Sequence, residues 1–229
     1  MDPIRITGTI KPISMQELHP GVFIYDMGQN MVGWCQLKVK GPAGTKVTMR
    51  FAERLYPDGS LNVANLRSAK ATDIYTLKGD GKTETWHPRF TYHGFRYVEL
   101  TGFPGKPALN SILGQVVGDD LESAGNFACS QPMINKIYHN IVWGVRGNYR
   151  SIPTDCPQRD ERQGWLGDSS IVSRSESFLF DVAAFYTKWH ADLCDAQNQA
   201  SGIPDFAPTY WTFYNDDVTW PSTCLMIPG

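Results

Sequence analysis

Residues 154–168 read TDCPQRDERQGWLGD and place Asp155, Asp160, Glu161 and Asp168 among Arg159, Arg162, Gly164, Trp165 and Gly167. Such a mixture can be purely structural. Acidic side chains favour helix N-termini as caps and through the helix dipole, so Asp168 can cap a helical run beginning at Ser169. Asp160, Glu161 and Arg162 can form a solvated turn with local ion pairs. The combination also supports chemistry. Arginines interleaved with acids hold neighbouring carboxylates in fixed ionisation states. Trp165 follows Glu161 by four positions, near enough to supply an apolar wall. A wall of that kind favours a protonated carboxyl, and a general acid needs its proton near neutral pH. The two glycines let the backbone turn sharply and approach a ligand closely. Carboxylates that grip vicinal hydroxyls, beside one aromatic face that covers C–H groups, make a sugar site.

The elements that must position these residues fall into two halves. Up to about residue 118 the chain reads as short strands: 22–25, 33–39, 46–51 and 96–100 are rich in β-branched or aromatic residues, several with period-two alternation. Turn signals separate them, at Gly41–Gly44, Pro57–Gly59, Gly79–Gly81 and Phe103–Gly105. Many short strands with frequent turns predict an antiparallel β-sandwich over 1–118. A linker is expected over 119–129, then helices over 130–229. Ile134, Ile137, Tyr138, Ile141, Val142 and Val145 share one helical face, with Ser130 as N-cap and Pro132 in the first turn. Further helices are expected over about 169–183 and 184–198, or one long helix over both, ending at Ser201–Pro204. The last residues, Leu225 to Gly229, are apolar and uncapped. Two or three helices cannot bury such faces alone, so the C-terminus reads as a cut through a larger helical domain. The apolar surface so exposed predicts self-association.

Composition narrows the function. The formal net charge of −2 over 229 residues leaves no electrostatic footprint for nucleic acid. No apolar run is long enough to span a membrane, and the first residues show no secretory signal. Aromatics at 12% with charged residues at 19% suit flat, partly apolar ligands such as carbohydrates, and equally a large core. The five cysteines, Cys35, Cys129, Cys156, Cys194 and Cys224, are widely spaced and form no CxxC. They read as free thiols, which favours a cytoplasmic location over a periplasmic or secreted one. The histidines form no close ligand pair, so no metal site and no cofactor is readable.

The stretch 155–168 resembles the signature of the bacterial α-L-rhamnosidases of glycoside hydrolase family 78. YDMGQNMVGW (25–34), AERLYPDG (52–59), PRFTYHGFRY (88–97), FYTKW (185–189) and GIPDFAP (202–208) are similar to further segments of that family. The resemblance implies a jelly-roll-like β-sandwich followed by the first helices of an (α/α)6 barrel. It implies hydrolysis of terminal α-L-rhamnosides with inversion. By the same resemblance Glu161 is the general acid, and Asp155, Arg159 and Asp168 bind rhamnose hydroxyls. Trp165 is the apolar wall, and Asp217 and Trp220 are further pocket residues. Inversion requires a second carboxylate roughly 6.5–9.5 Å away to activate water. The family places that base in a late barrel helix, beyond Gly229, which makes this chain alone inactive. Asp217 is the first candidate should a base lie within these residues.

Two other readings stay open. The chain can be a sugar-binding or structural module without turnover, or an unrelated β/α protein whose acids only cap helices. In the β half, Asp26, Gln29, Asn30 and Trp34 can form a carbohydrate-binding face or serve turn and core. The polar and aromatic run Tyr92 to Arg96 can dock against the helices.

Overall fold

The computed structural model describes residues 2–198, 200, 202–209 and 218–227. The chain divides into two compact units, one of Ile6–Val117 with Pro157–Asp160, the other of Met1–Arg5 with Gly118–Cys156 and Glu161–Gly229.

The first unit is built from strands β1 (Ile4–Ile10), β2 (Ser14–His19), β3 (Val22–Val39), β4 (Lys46–Ala52), β5 (Arg54–Leu55), β6 (Leu61–Asn62), β7 (Thr72–Thr76), β8 (Glu84–Trp86), β9 (His93–Thr101) and β10 (Ile112–Asp119). Eight form one sheet in the order β1-β10-β3-β9-β4-β7, with β2 and β8 also on β3, while β5 and β6 pair apart. The expected strands at 22–25 and 33–39 are one continuous strand. Its first part pairs with β2 on one edge, Tyr25 opposite Met15, and with β9 on the other, Tyr25 opposite Val98. The β9 register slips between Asp26 and Met31, after which β10 takes the β2 edge, with Cys35 opposite Gly114. A strand that slips register and exchanges partners in this way bends, and the sheet curls around its own inner face. Period-two alternation fills that face: Val47, Met49 and Phe51 of β4 and Val98 and Leu100 of β9 are buried with Tyr25, Cys35 and Leu37 of β3.

The polar residues of this unit serve the sheet. Asp26 accepts two hydrogen bonds of 2.8 Å from the Arg96 guanidinium, which holds its carboxyl below the usual range. The Asn30 amide donates to Glu53 at 2.9 Å, and Gln29 donates to the Asn30 carbonyl. The Trp34 indole N–H donates to Gln115 at 2.7 Å, and its ring stacks on His87. His93 is buried, bonded to Asp73 at 3.0 Å and stacked on Phe51. Arg96 and His93 are thus engaged inside the unit.

The second unit carries α1 (Pro132–Asn148), α2 (Leu166–Glu176), α3 (Ala183–Asp195) and the short turn α4 (Thr223–Met226). Gln131 rather than Ser130 occupies the N-cap of α1, with Pro132 directly after it. The expected apolar stripe of α1 is divided. Tyr138, Val142 and Val145 pack on the core formed by Leu166, Phe185, Trp189, Leu193 and Ala207. Ile134, Ile137 and Ile141 remain 46–50% exposed, and Ile171 of α2 is 81% exposed. The second helix starts three residues earlier than expected and stops at Glu176. Asp168 therefore sits inside its first turn, and Trp165 takes the N-cap position. Residues of the expected linker lie along the α2–α3 connection: Ala124 N–H donates to Leu179 O, and Asp181 N–H to Glu122 O. No helix among the described residues is long and apolar enough to cross a membrane.

Candidate active site

The stretch before α2 has no regular structure, so hydrogen bonds must shape it. Asp155 and Gln163 clamp each other. The Asp155 backbone N–H donates to the Gln163 carbonyl at 3.0 Å, and the Gln163 N–H donates to Asp155 Oδ1 at 2.7 Å. This double contact closes 156–162 into a loop and returns Glu161 toward Asp155. Gln163 is only 2% exposed, which suits a closing residue. The next residues lie against 205–207: Leu166 N–H donates to Asp205 O, and Ala207 N–H to Gly164 O. A Cβ on Gly164 would stand 2.3 Å from the Ala207 carbonyl oxygen, so only glycine permits this approach. Trp189 fixes the same carbonyl through its indole N–H at 3.0 Å.

On this frame the side chains converge. The Trp165 indole N–H donates to Glu161 Oε1 at 3.1 Å, and its ring meets Phe206 edge-on with centroids 5.0 Å apart. Trp165 thus orients the carboxylate as a donor, a role beyond the apolar wall. Asp168 keeps an exposed surface, yet its carboxyl is pushed above the usual range, first by desolvation and then by the negative charges of Asp155 and Glu161. The helix N-terminus pulls the other way, so desolvation and crowding together win. Three carboxylates and one indole can hold a proton on one acid while the others accept from hydroxyls.

Cys156, read from the sequence only as a free thiol, joins this group. It is 6% exposed, and its sulfur lies with one carboxylate oxygen each of Asp155 and Glu161 in a group whose members are all within 4.8 Å of one another. The signal was its place beside Asp155, hidden because no second cysteine or histidine is near in sequence. Phe206 was also missed as the partner of Trp165. Trp220 covers Gly167, where a Cβ would fall 2.2 Å from the indole ring, so it lies one residue from Asp168. Asp217 is outside the described residues. Arg159 belongs to Pro157–Asp160, which group with the β unit. Asp160 is held there by the Ser68 hydroxyl and by Ser68 N–H at 3.2 Å, which keeps its carboxyl below the usual range. It is a structural residue of that unit.

Beside the carboxylates, a groove of about 410 Å³ is lined by Asn148, Tyr149, Asp155, Asp168 and Glu176. Glu176 is buried, and the hydroxyls of Tyr149 and Tyr186 donate to its Oε2. Burial pushes its carboxyl above the usual range. A larger groove of about 1100 Å³, lined by Glu122, Arg174, Asp181 and His190 among others, contains none of the sequence-predicted site residues.

Comparison with known proteins covers nearly the whole chain. Residues 16–118 match the family model of the bacterial alpha-L-rhamnosidase concanavalin-like domain. Residues 122–229 match that of the bacterial alpha-L-rhamnosidase 6 hairpin glycosidase domain. An α-L-rhamnosidase of Streptomyces avermitilis is 48% identical over 226 residues, 99% of this chain and 22% of that protein. The structure of the Streptomyces avermitilis enzyme complexed with L-rhamnose superposes with a TM-score of 0.96 at 48% identity, over 99% of this chain and 22% of that one. The α-L-rhamnosidase from Dictyoglumus thermophilum superposes equally well, at 0.96 and 49% identity, over 99% of this chain and 26% of that one. The chain spans about a quarter or less of the length of these relatives. A curled antiparallel β unit followed by helices, matched in both parts by domains of one family, places this chain in the bacterial α-L-rhamnosidase family.

Proposed function

We propose that this chain carries the acid side of a site that hydrolyses terminal α-L-rhamnosides with inversion. Glu161 is the general acid that protonates the leaving oxygen. Asp155, Asp168 and Arg159 take the sugar hydroxyls, Trp165 and Trp220 cover its C–H faces, and Asp217 completes the rim. The water-activating base is supplied by a carboxylate outside these residues, so the chain alone binds the sugar without turning it over. The observation that supports this reading best is the convergence of Asp155, Glu161 and Asp168 around one indole, with Trp165 bonded to Glu161. Such crowded carboxylates are costly for a fold, and a polyhydroxylated ligand satisfies them.

The test is Glu161→Gln in a chimera where this chain replaces the matching span of the Streptomyces avermitilis relative. A general acid is worth about 10²–10⁴-fold in rate. Turnover of an alkyl rhamnoside, whose leaving group needs a proton, should fall by about that factor. Turnover of an activated aryl rhamnoside should fall far less, with unchanged thermal unfolding. Equal losses on both substrates, or near-normal turnover of the alkyl one, would remove Glu161 from the acid role.

A further inference from the structure

The donor group Asp155, Cys156 and Glu161 mixes two carboxylates with a buried thiol, and a sugar has no use for the thiol. Three atoms mutually within 4.8 Å share a centre no more than about 2.8 Å from each. Zinc bonds run about 2.3 Å to sulfur and about 2.0–2.2 Å to carboxylate oxygen, so closure requires side-chain movement of about half an ångström. The backbone already does most of the gathering. Asp155 and Cys156 are adjacent, and the Asp155–Gln163 clamp returns Glu161 to them. Sulfur among oxygens selects a borderline or soft cation over magnesium or calcium, and three protein donors leave a fourth position open.

We propose that Asp155, Cys156 and Glu161 form a site for a thiophilic divalent cation of the zinc class, and that its occupancy excludes the sugar. Binding deprotonates the Cys156 thiol, releases that proton to solvent and forms one metal–sulfur and two metal–oxygen bonds. Affinity therefore rises with pH. The cation also engages the Glu161 carboxylate that would otherwise serve a leaving group, so the site is inhibitory. That consequence rests on the sugar-site reading of Asp155 and Glu161, whereas the binding itself does not.

Cobalt(II) chloride is the probe, because thiolate ligation gives an intense sulfur-to-cobalt charge-transfer band. A second thiol cluster is the control: Cys194 and Cys224 lie 3.8 and 3.6 Å from the two ring nitrogens of His190. One cobalt per chain is expected, with a band that vanishes in Cys156→Ser and survives in Cys194→Ser/Cys224→Ser. Because Cys156 is buried, circular dichroism checks its variant. Glu161→Gln, at a partly exposed side chain, gives an independent reading, with affinity expected to fall about tenfold or more. Excess L-rhamnose should suppress the band. No band, a band unchanged in both Cys156→Ser and Glu161→Gln, or one lost only with Cys194 and Cys224 would overturn the site. Simultaneous binding of cobalt and L-rhamnose would overturn its inhibitory role. An intact cobalt site in a chain that binds no L-rhamnose would instead sink the sugar-site reading and leave the metal site standing.

Discussion

Replacing Glu176 probes how a buried carboxyl holds the helical unit together. Glu176 is 6% exposed and Tyr149 2%, and both tyrosine hydroxyls donate to the same carboxylate oxygen. Those hydroxyls also lie 2.9 Å apart. In Glu176→Ala they can still bond each other, so one donor loses its acceptor. An orphaned buried hydroxyl costs about 1–3 kcal/mol, and the space left by the side chain adds about 1 kcal/mol. The expected loss is about 2–4 kcal/mol, against about 1 kcal/mol or less for Glu176→Gln, which keeps a carbonyl acceptor. Wild type and Glu176→Gln also separate in pH. Burial raises the folded-state pKa above the ordinary 4.5, so the native protein holds this proton more tightly than the unfolded chain. The resulting stability is fully present below the unfolded pKa and is lost as pH rises through the folded one. Urea unfolding followed by tryptophan fluorescence at closely spaced pH values above about 4.5 reads both effects. Wild type should lose stability relative to Glu176→Gln as pH rises across that window. A loss below about 0.5 kcal/mol in the alanine variant, or parallel pH curves for wild type and glutamine, would refute the reasoning.

Gly167→Ala drives a Cβ to within 2.2 Å of the Trp220 ring, and overpacking of this kind costs about 1–3 kcal/mol. A shifted tryptophan emission and weaker L-rhamnose binding are expected, and unchanged sugar affinity would show that Trp220 does not face the ligand. Asp168→Asn removes a carboxyl whose pKa is raised by desolvation and then by the charges of Asp155 and Glu161. Stability near neutral pH should hold or rise and its decline with increasing pH should flatten, while L-rhamnose affinity falls; unaltered affinity in titration calorimetry would take Asp168 out of the sugar site.

What could be read from the sequence depended on how local its cause was. The strands at 46–51 and 96–100 were legible because alternation records a buried face, and β4 and β9 fall there. β2, β7 and β8 are short and polar, and exist because β3 and β4 offer edges to pair with. No local pattern announces that. The join of 22–25 to 33–39 was likewise invisible, since Gln29 and Asn30 read as a turn, while β9 carries the strand across them through a register slip. Helix α2 begins at Leu166 because Leu166 N–H is bonded to Asp205, a partner far along the chain. In the site, the closeness of Asp155, Glu161 and Asp168 was legible from spacing. The indole hydrogen bond, the place of Cys156 and the alliance of Asp160 with Ser68 were not, because each depends on how the loop closes.

The long strand β3 also sets the order in which this protein can assemble. Its second part pairs through Gly33–Leu37 with Ile112–Val116, which emerge from the ribosome only after every other strand of the sheet. Until then a row of backbone donors and acceptors at the middle of the sheet lies open, and such an edge invites pairing with another chain. Contacts so distant in sequence also slow folding. The nascent β unit thus passes through a vulnerable window that closes when β10 arrives, and chaperone dependence should concentrate there.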